Sequence, residues 1–261
     1  RMGSDRILRQ SPARDLCIMG SALPAVTIFT CLGIALSLGH VKIWPLPMIS
    51  DCGWDTPEKW VFRLGLITGA GLLARMADLV RDFILHVSGD EEDSLLDWAV
   101  RVSYVASLGL AGCAAVSEKE CNPLHSTLAV IFFVGFCFFQ CIVSWRIASL
   151  GVPPEFHAGA WTFKQALTIL CVVDLIAYII VAATGQPMWC QAICEWSGTM
   201  MIMGYNLTFL YDFKDNLMIA DTWDTDTSPA PRRVVPSTTY AIFSDAVPVA
   251  RVVGQEPTHM L

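Results

Sequence analysis

Six apolar stretches, at residues 17–38, 60–82, 96–116, 125–146, 163–184 and 192–213, are separated by polar connectors. Each is near the roughly 20 helical residues needed to cross the hydrocarbon of a bilayer, where only helices and closed barrels can pair all their backbone N–H and C=O groups. The pattern predicts an all-α fold, a polytopic transmembrane bundle of six helices. Composition agrees: 54% of residues are hydrophobic and only 16% are charged. A soluble domain carries closer to about 25% charged residues, so this chain lacks the polar surface to cover an aqueous exterior. The net charge of −7 leaves no basic footprint, and nucleic acid is excluded as a partner.

Residues 1–16 form a basic leader carrying Arg1, Arg6, Arg9 and Arg14. The stretch after it, Cys17 to Leu38, is uncharged and shows no small-residue cleavage pattern, so it is expected to be a retained first span rather than a signal peptide. A transmembrane domain over 17–214 follows, with a longer loop at 39–59. Arg81, Arg101, Arg146, Lys164, Lys214, Arg232, Arg233 and Arg251 fall on the leader's side of the membrane, against Lys42, Lys59, Arg63 and Lys119 on the other. That bias predicts cytosolic termini and an exoplasmic 39–59 loop. The tail, 215–261, is acidic and rich in Thr, Ser and Pro, and it is expected to be disordered and cytosolic. Within it, Tyr240-Ala241-Ile242-Phe243 has the form of a tyrosine-based endolysosomal sorting signal, a tetrapeptide short enough to arise by chance.

Two clusters stand out. The loop carries Pro47, Ile49, Ser50, Asp51 and Gly53, followed by Pro57 and Glu58 at the mouth of the second span. The sixth span opens with Glu195 and Trp196 and closes with Thr208, Phe209 and Asp212. Together with six spans and cytosolic termini, these clusters resemble the damage-regulated autophagy modulator (DRAM) family and its Frag and Sfk relatives. The chain differs from that pattern at Met48, at Cys52 and in a Trp54-Asp55 insert. The resemblance implies a non-enzymatic membrane protein acting on autophagy, lysosomal function or membrane lipid and phosphoinositide organisation. Its partners would be membrane lipids and proteins meeting the loop or the tail, in endolysosomal or plasma membrane. More distant relatives acting on GPI anchors give the alternative of a lipid-remodelling enzyme or accessory factor, and a small-solute transporter is a third reading.

Read physically, Ser50 and Asp51 before Gly53 suit a turn closed by a glycine at positive φ, and Thr56-Pro57-Glu58 suits a helix start with Thr56 as cap. Glu195 lies at a depth similar to that of His40, Asp51, Glu58 and His125, a set that could hold zinc or supply an acid and a base. No ligand spacing supports that reading, so no catalytic, metal or cofactor site is expected, and Glu195 reads as a hydrogen-bond partner for the loop. Deeper polar residues are Arg75, Asp78, Asp174 and Asn206. An Arg75–Asp174 bridge between spans and a local Arg75–Asp78 pair both fit, because intramembrane charges normally pair inside a bundle. Gly65 and Gly69 on span two allow close helix approach, expected within one chain. The five phenylalanines of span four, spread around its circumference, point to a lipid-facing helix. Of the ten cysteines, Cys52, Cys121 and Cys190 fall on the oxidising side, where a disulfide between Cys121 and Cys190, with Cys52 as competitor, is expected.

Overall fold

A computed structural model of the chain describes residues 13–213. Most of the basic leader and the whole 215–261 tail, including Tyr240 and Phe243, lie outside the described residues.

Within them the fold is all-helical. Six long helices follow in order: α1 (Ala13–Leu38), α2 (Glu58–Ser88), α3 (Ser94–Ala115), α4 (Glu118–Ser149), α5 (Ala158–Ala183) and α6 (Met188–Thr208), with short 3-10 turns at Ser50–Gly53 and Phe209–Tyr211. Helices adjacent in sequence pack together, and α6 closes back against α1 and α4. Five helices, α1 to α5, are long and apolar enough to cross a membrane. The sixth, expected to be an equally apolar span, falls short because it carries Gln191, Glu195, Ser197, Thr199, Asn206 and Thr208. Thr199, Asn206 and Thr208 are buried against neighbouring helices, so protein rather than lipid solvates much of that polarity.

The first five helices are longer than the apolar stretches because polar residues finish their turns. Asp93 caps α3, its carboxylate accepting from the Leu95 and Leu96 N–H groups at 2.9 and 3.1 Å. Arg146 of α4 reaches the same carboxylate and pairs with Asp90 at 2.8 Å. Ser117 and Glu120 open α4, with the Ser117 N–H donating to Glu120 Oε2 at 2.9 Å. Glu120 in turn receives Lys59 and Arg63 of α2 at 2.7 and 2.6 Å.

Small residues set the closest approaches. A side chain at Gly65 would meet Thr27 at 2.2 Å, and one at Gly69 would meet Pro24 at 2.6 Å. The spaced glycines of α2 therefore dock α1 within the chain, where in lipid packing must replace the missing hydrophobic drive. Gly135 of α4 lies against Ala106 of α3 in the same way. Span four is not mainly lipid-facing as expected: Phe132, Phe136 and Phe139 are buried, and Phe138 is the member that is well exposed. The rings of Phe132, Phe136 and Phe139 meet edge-on, which orients them inward.

The N-terminal part of α5 and the residue just after the 3-10 turn that follows α6 are locked by a fully buried ion pair, Lys164 with Asp212. The Asp212 carboxylate also accepts the His157 N–H at 3.0 Å, and the Lys164 ammonium sits 4.2 Å above the Phe209 ring. Removing one partner strands the other charge. D212N is therefore expected to lower stability in detergent by about 3–5 kcal/mol, whereas the double variant K164M/D212L recovers most of that loss. Denaturant unfolding of the two variants checks this. Equal losses would show that the pair contributes only through its volume.

Candidate functional site

The 39–57 loop is held at both ends and in its middle. α1 stops at Gly39, whose φ of 76° only glycine adopts cheaply. At the other end, the expected Thr56 cap is not made. α2 begins at Glu58 after Pro57, with no side-chain cap, and the Lys59 N–H is taken by the Asp55 carbonyl at 2.7 Å. In the middle, the Met48 N–H donates to Asp51 Oδ2 at 2.9 Å, closing the turn anticipated from Ser50 and Asp51. Gly53 is required for a different reason from the one expected. Its φ is not positive, but a side chain there would come within 2.4 Å of the Phe62 ring. The glycine is a contact point between loop and α2.

Two side chains of α6 clasp this loop. Glu195 accepts from the Ile49 N–H at 2.7 Å and also from the Ser50 N–H. Trp196 donates from its indole nitrogen to the Pro47 carbonyl at 2.9 Å. The two sequence clusters therefore meet through backbone hydrogen bonds, and Glu195 is the loop's partner as expected. Asp51 sits beneath this contact. Burial pushes its carboxyl above the usual range, and nearby Glu118 adds to the effect while the Met48 N–H opposes it. Burial likewise pushes the Cys52 thiol up to about 12, which keeps it an unreactive thiol.

The other residues weighed together from the sequence do not gather into a single cluster. His125 is buried against α3, its Nδ1 lying 2.7 Å from the Val116 carbonyl. His40 instead pairs with Glu58, Nδ1 to Oε1 at 2.5 Å. Arg75 pairs locally with Asp78 at 3.1 Å, while Asp174 takes a hydrogen bond from Ser197 at 2.5 Å, so the inter-span Arg75–Asp174 bridge does not form. Asn206 donates to the Ile202 carbonyl of its own helix and is buried. All ten cysteines are free thiols here. Cys52 is buried under the loop and Cys121 is exposed on α4, so the structure does not join Cys52, Cys121 and Cys190.

Beside the clasp lies a cavity that the sequence did not announce. Every buried residue of α5 falls between Ala160 and Cys171, and none from Val172 to Ala183 is buried. The helix is packed along its N-terminal half and more loosely held along its C-terminal half, where Asp174 meets Ser197 of α6. There a partly open cavity of about 580 Å³ forms between α4, α5 and α6, roofed by Met48 and Ser50. Glu118, Asn122, His125 and Ser126 of α4 and Gln191 and Glu195 of α6 line its loop end. Asp174 lies deeper, followed by Phe133, Val134, Cys171 and Leu175. From Met188 to Gly198 the lining descends roughly 15 Å at 1.5 Å per residue. Gly198 makes room for the acid, since a side chain there would meet Asp174 Oδ2 at 2.8 Å. Lysine and arginine are absent from the described lining residues. A signal for this cavity did exist in the sequence: Asp174 as the one charged residue in the half of α5 after Cys171, opposite a helix too polar to face lipid.

A helical membrane bundle with a polar-topped, apolar-bottomed cavity under a clasped loop defines the class. The chain belongs to the Frag1/DRAM/Sfk1/Cwh43P N-terminal domain family, which matches residues 12–216. It is 21% identical over 235 residues to a Drosophila melanogaster protein named post-GPI attachment to proteins factor 2-like, covering 78% of this chain and 70% of that one. It is 26% identical over 180 residues to the human modulator of macroautophagy TMEM150B, covering 64% and 70%. No solved structure matches.

The raised pKa of Asp51 gives the loop a pH dependence. A carboxyl whose folded value exceeds its unfolded one contributes stability in its protonated form, present below the ordinary value of 3.8 and lost as pH rises through the raised value. Thermal unfolding of D51N, which keeps a side-chain acceptor for Met48, should differ from wild type in its pH slope, with D51N relatively more stable toward neutral pH. Parallel profiles for the two proteins would refute the assignment.

Proposed function

We propose that this is a non-enzymatic lipid-contacting membrane protein that holds one membrane lipid in the α4–α5–α6 cavity and acts through that contact on membrane lipid organisation and autophagy. The observation that carries the reading is the cavity's polarity gradient, with hydrogen-bonding groups at the loop end and Phe133, Val134 and Leu175 below. A headgroup at the loop and an acyl chain alongside α5 match both ends. With Glu118, Asp174 and Glu195 in the lining and no basic residue among the described ones, the favoured headgroup offers amine or hydroxyl donors. The lining stops at Cys171, above the buried Lys164–Asp212 pair, which suits a one-sided pocket better than a solute passage. The similarity to a modulator of macroautophagy supports the cellular part of the reading. Endolysosomal or plasma membrane is the proposed location.

In this proposal all six helices cross, both termini are cytosolic and the 39–57 loop is exoplasmic. In a cysteine-free background, a cysteine at exposed Lys42 should label with an impermeant reagent from the exoplasmic side, and one at exposed Glu92 should not. The reverse pattern would invert the topology.

A second reading, lipid remodelling, is favoured by the similarity to the post-GPI attachment factor and by carboxylates in a lipid-sized cavity. Against it, Glu195, Asp174 and His125 are each already engaged by Ile49, Ser197 and Val116. Two experiments separate the readings. Mass spectrometry of co-purified lipid should show occupancy falling about tenfold in S126W/A182W, equivalent to about 1.4 kcal/mol, because both changes fill the cavity from exposed positions. Unchanged occupancy would remove the cavity from the proposal. E195Q keeps the shape of the clasp and should leave most cellular function intact. An enzyme using Glu195 as acid or base would traffic normally and lose about a hundredfold or more of its activity.

A further inference from the structure

A second group of polar side chains lies away from the cavity, at the loop end of α1 and α2. His40 follows the last turn of α1, Asp55 ends the loop and Glu58 is the first residue of α2. One ligand-type atom of each lies within 4.8 Å of the others. Glu58 is fully buried, and only one of its oxygens is used, by His40 Nδ1 at 2.5 Å. Its second oxygen, Oε2, is buried with no hydrogen-bond partner. A buried carboxylate oxygen without a donor is uncommon in folded proteins and asks for a positive partner.

We propose that His40, Asp55 and Glu58 form a binding site for a divalent cation of the zinc class. The donor set is one imidazole nitrogen and two carboxylates, borderline ligands that suit Zn²⁺ and its first-row neighbours. Ca²⁺ would want six to eight oxygens, more than this corner offers. Three protein ligands leave a fourth position for water, and the side chain of His40 is exposed enough for an ion to enter. The ion would give Glu58 Oε2 its missing partner and tie the end of α1 to the loop and the start of α2. The same loop is clasped by Glu195, so the ion would stiffen the roof of the cavity.

Lys119 of α4 is the resident competitor. Its ammonium lies 3.1 and 3.0 Å from the two Asp55 oxygens and 4.7 Å from the Trp54 ring. An ion and the ammonium repel each other across Asp55, so removing the lysine's charge should tighten metal binding. A purely structural His40–Glu58 hydrogen bond predicts no such gain.

The experiment uses the full chain purified in detergent and stripped with a chelator. Titration with Zn²⁺ should bind one equivalent and raise the thermal unfolding temperature, with Ca²⁺ and Mg²⁺ giving no comparable rise. H40A and D55N should each weaken Zn²⁺ binding at least about tenfold, and K119M should strengthen it. D55N changes a half-exposed side chain, so its metal-free unfolding should stay near wild type, whereas H40A also takes the only donor from buried Glu58 and should lower metal-free stability, so D55N carries the comparison. Co²⁺ in place of Zn²⁺ should show nitrogen and oxygen ligation without a thiolate charge-transfer band. The proposal is overturned if no Zn²⁺ is retained, if H40A and D55N bind as wild type does, or if cobalt reports thiolate ligation.

Discussion

The buried pairing of Lys164 with Asp212 fixes where every other part of the bundle can go. Both side chains are fully shielded, so each charge is tolerable only beside the other. That requirement joins the first turns of α5 to the end of the 3-10 turn that follows α6 and draws in His157 and Phe209. Cys17 of α1 completes the cluster by donating to the Asn206 carbonyl at 3.1 Å. Near the same level, the Ser144 hydroxyl lies 3.0 Å from Thr168 and 3.1 Å from Tyr205, linking α4, α5 and α6 through hydroxyl groups. With α5 secured at this end, its other half reaches α6 through the Asp174–Ser197 hydrogen bond, and its exposed Ile176, Ile179 and Ile180 can face lipid.

The opposite end of α6 is secured differently. Glu195 and Trp196 hold the loop by its backbone, through the Ile49 and Ser50 N–H groups and the Pro47 carbonyl. Backbone groups do not vary with side-chain substitution, so the clasp demands only that the loop present them in the right place. The Asp51 turn and the contact between Gly53 and Phe62 provide that placement. A cavity remains between the two anchored ends because the burial of α5 stops at Cys171, with Asp174 reaching Ser197 of α6 beyond it. Its polar mouth faces the loop that α6 holds, so loop position and cavity shape are mechanically linked.

Charges at the connectors do a third job. Arg81 reaches Asp97 at 2.6 Å and Arg146 reaches Asp90 at 2.8 Å, and on the other side Glu120 collects Lys59 and Arg63. Exposed pairs of this kind contribute little each, about 0–1 kcal/mol. Their value is geometric, since they hold α2, α3 and α4 in register where short connectors leave little slack.

Length and hydropathy alone determined the helical bundle, because lipid allows a chain this apolar few other ways to satisfy its backbone. They also located the five helices long and apolar enough to cross a membrane, with ends missed by up to seven residues (125 against 118 at the start of α4). The Gly65 and Gly69 contact with α1 was readable for the same kind of reason: small residues at helical spacing have one use in a packed bundle. Glu195 as partner of the loop was readable from the matching depth of two polar clusters. The sequence could not say which polar residue meets which. Arg75 found Asp78 on its own helix and Asp174 found Ser197, while Lys164 and Asp212, never paired by inspection, became the central contact. Nor could it say that Gly53 is needed for Phe62 rather than for its backbone angle, or that three phenylalanines of α4 turn inward. The cavity follows from how far α5 leans from α4. Such facts depend on the rotation and tilt of each helix about its axis, and a one-dimensional hydropathy pattern constrains the length of a span far more strongly than the direction its faces point.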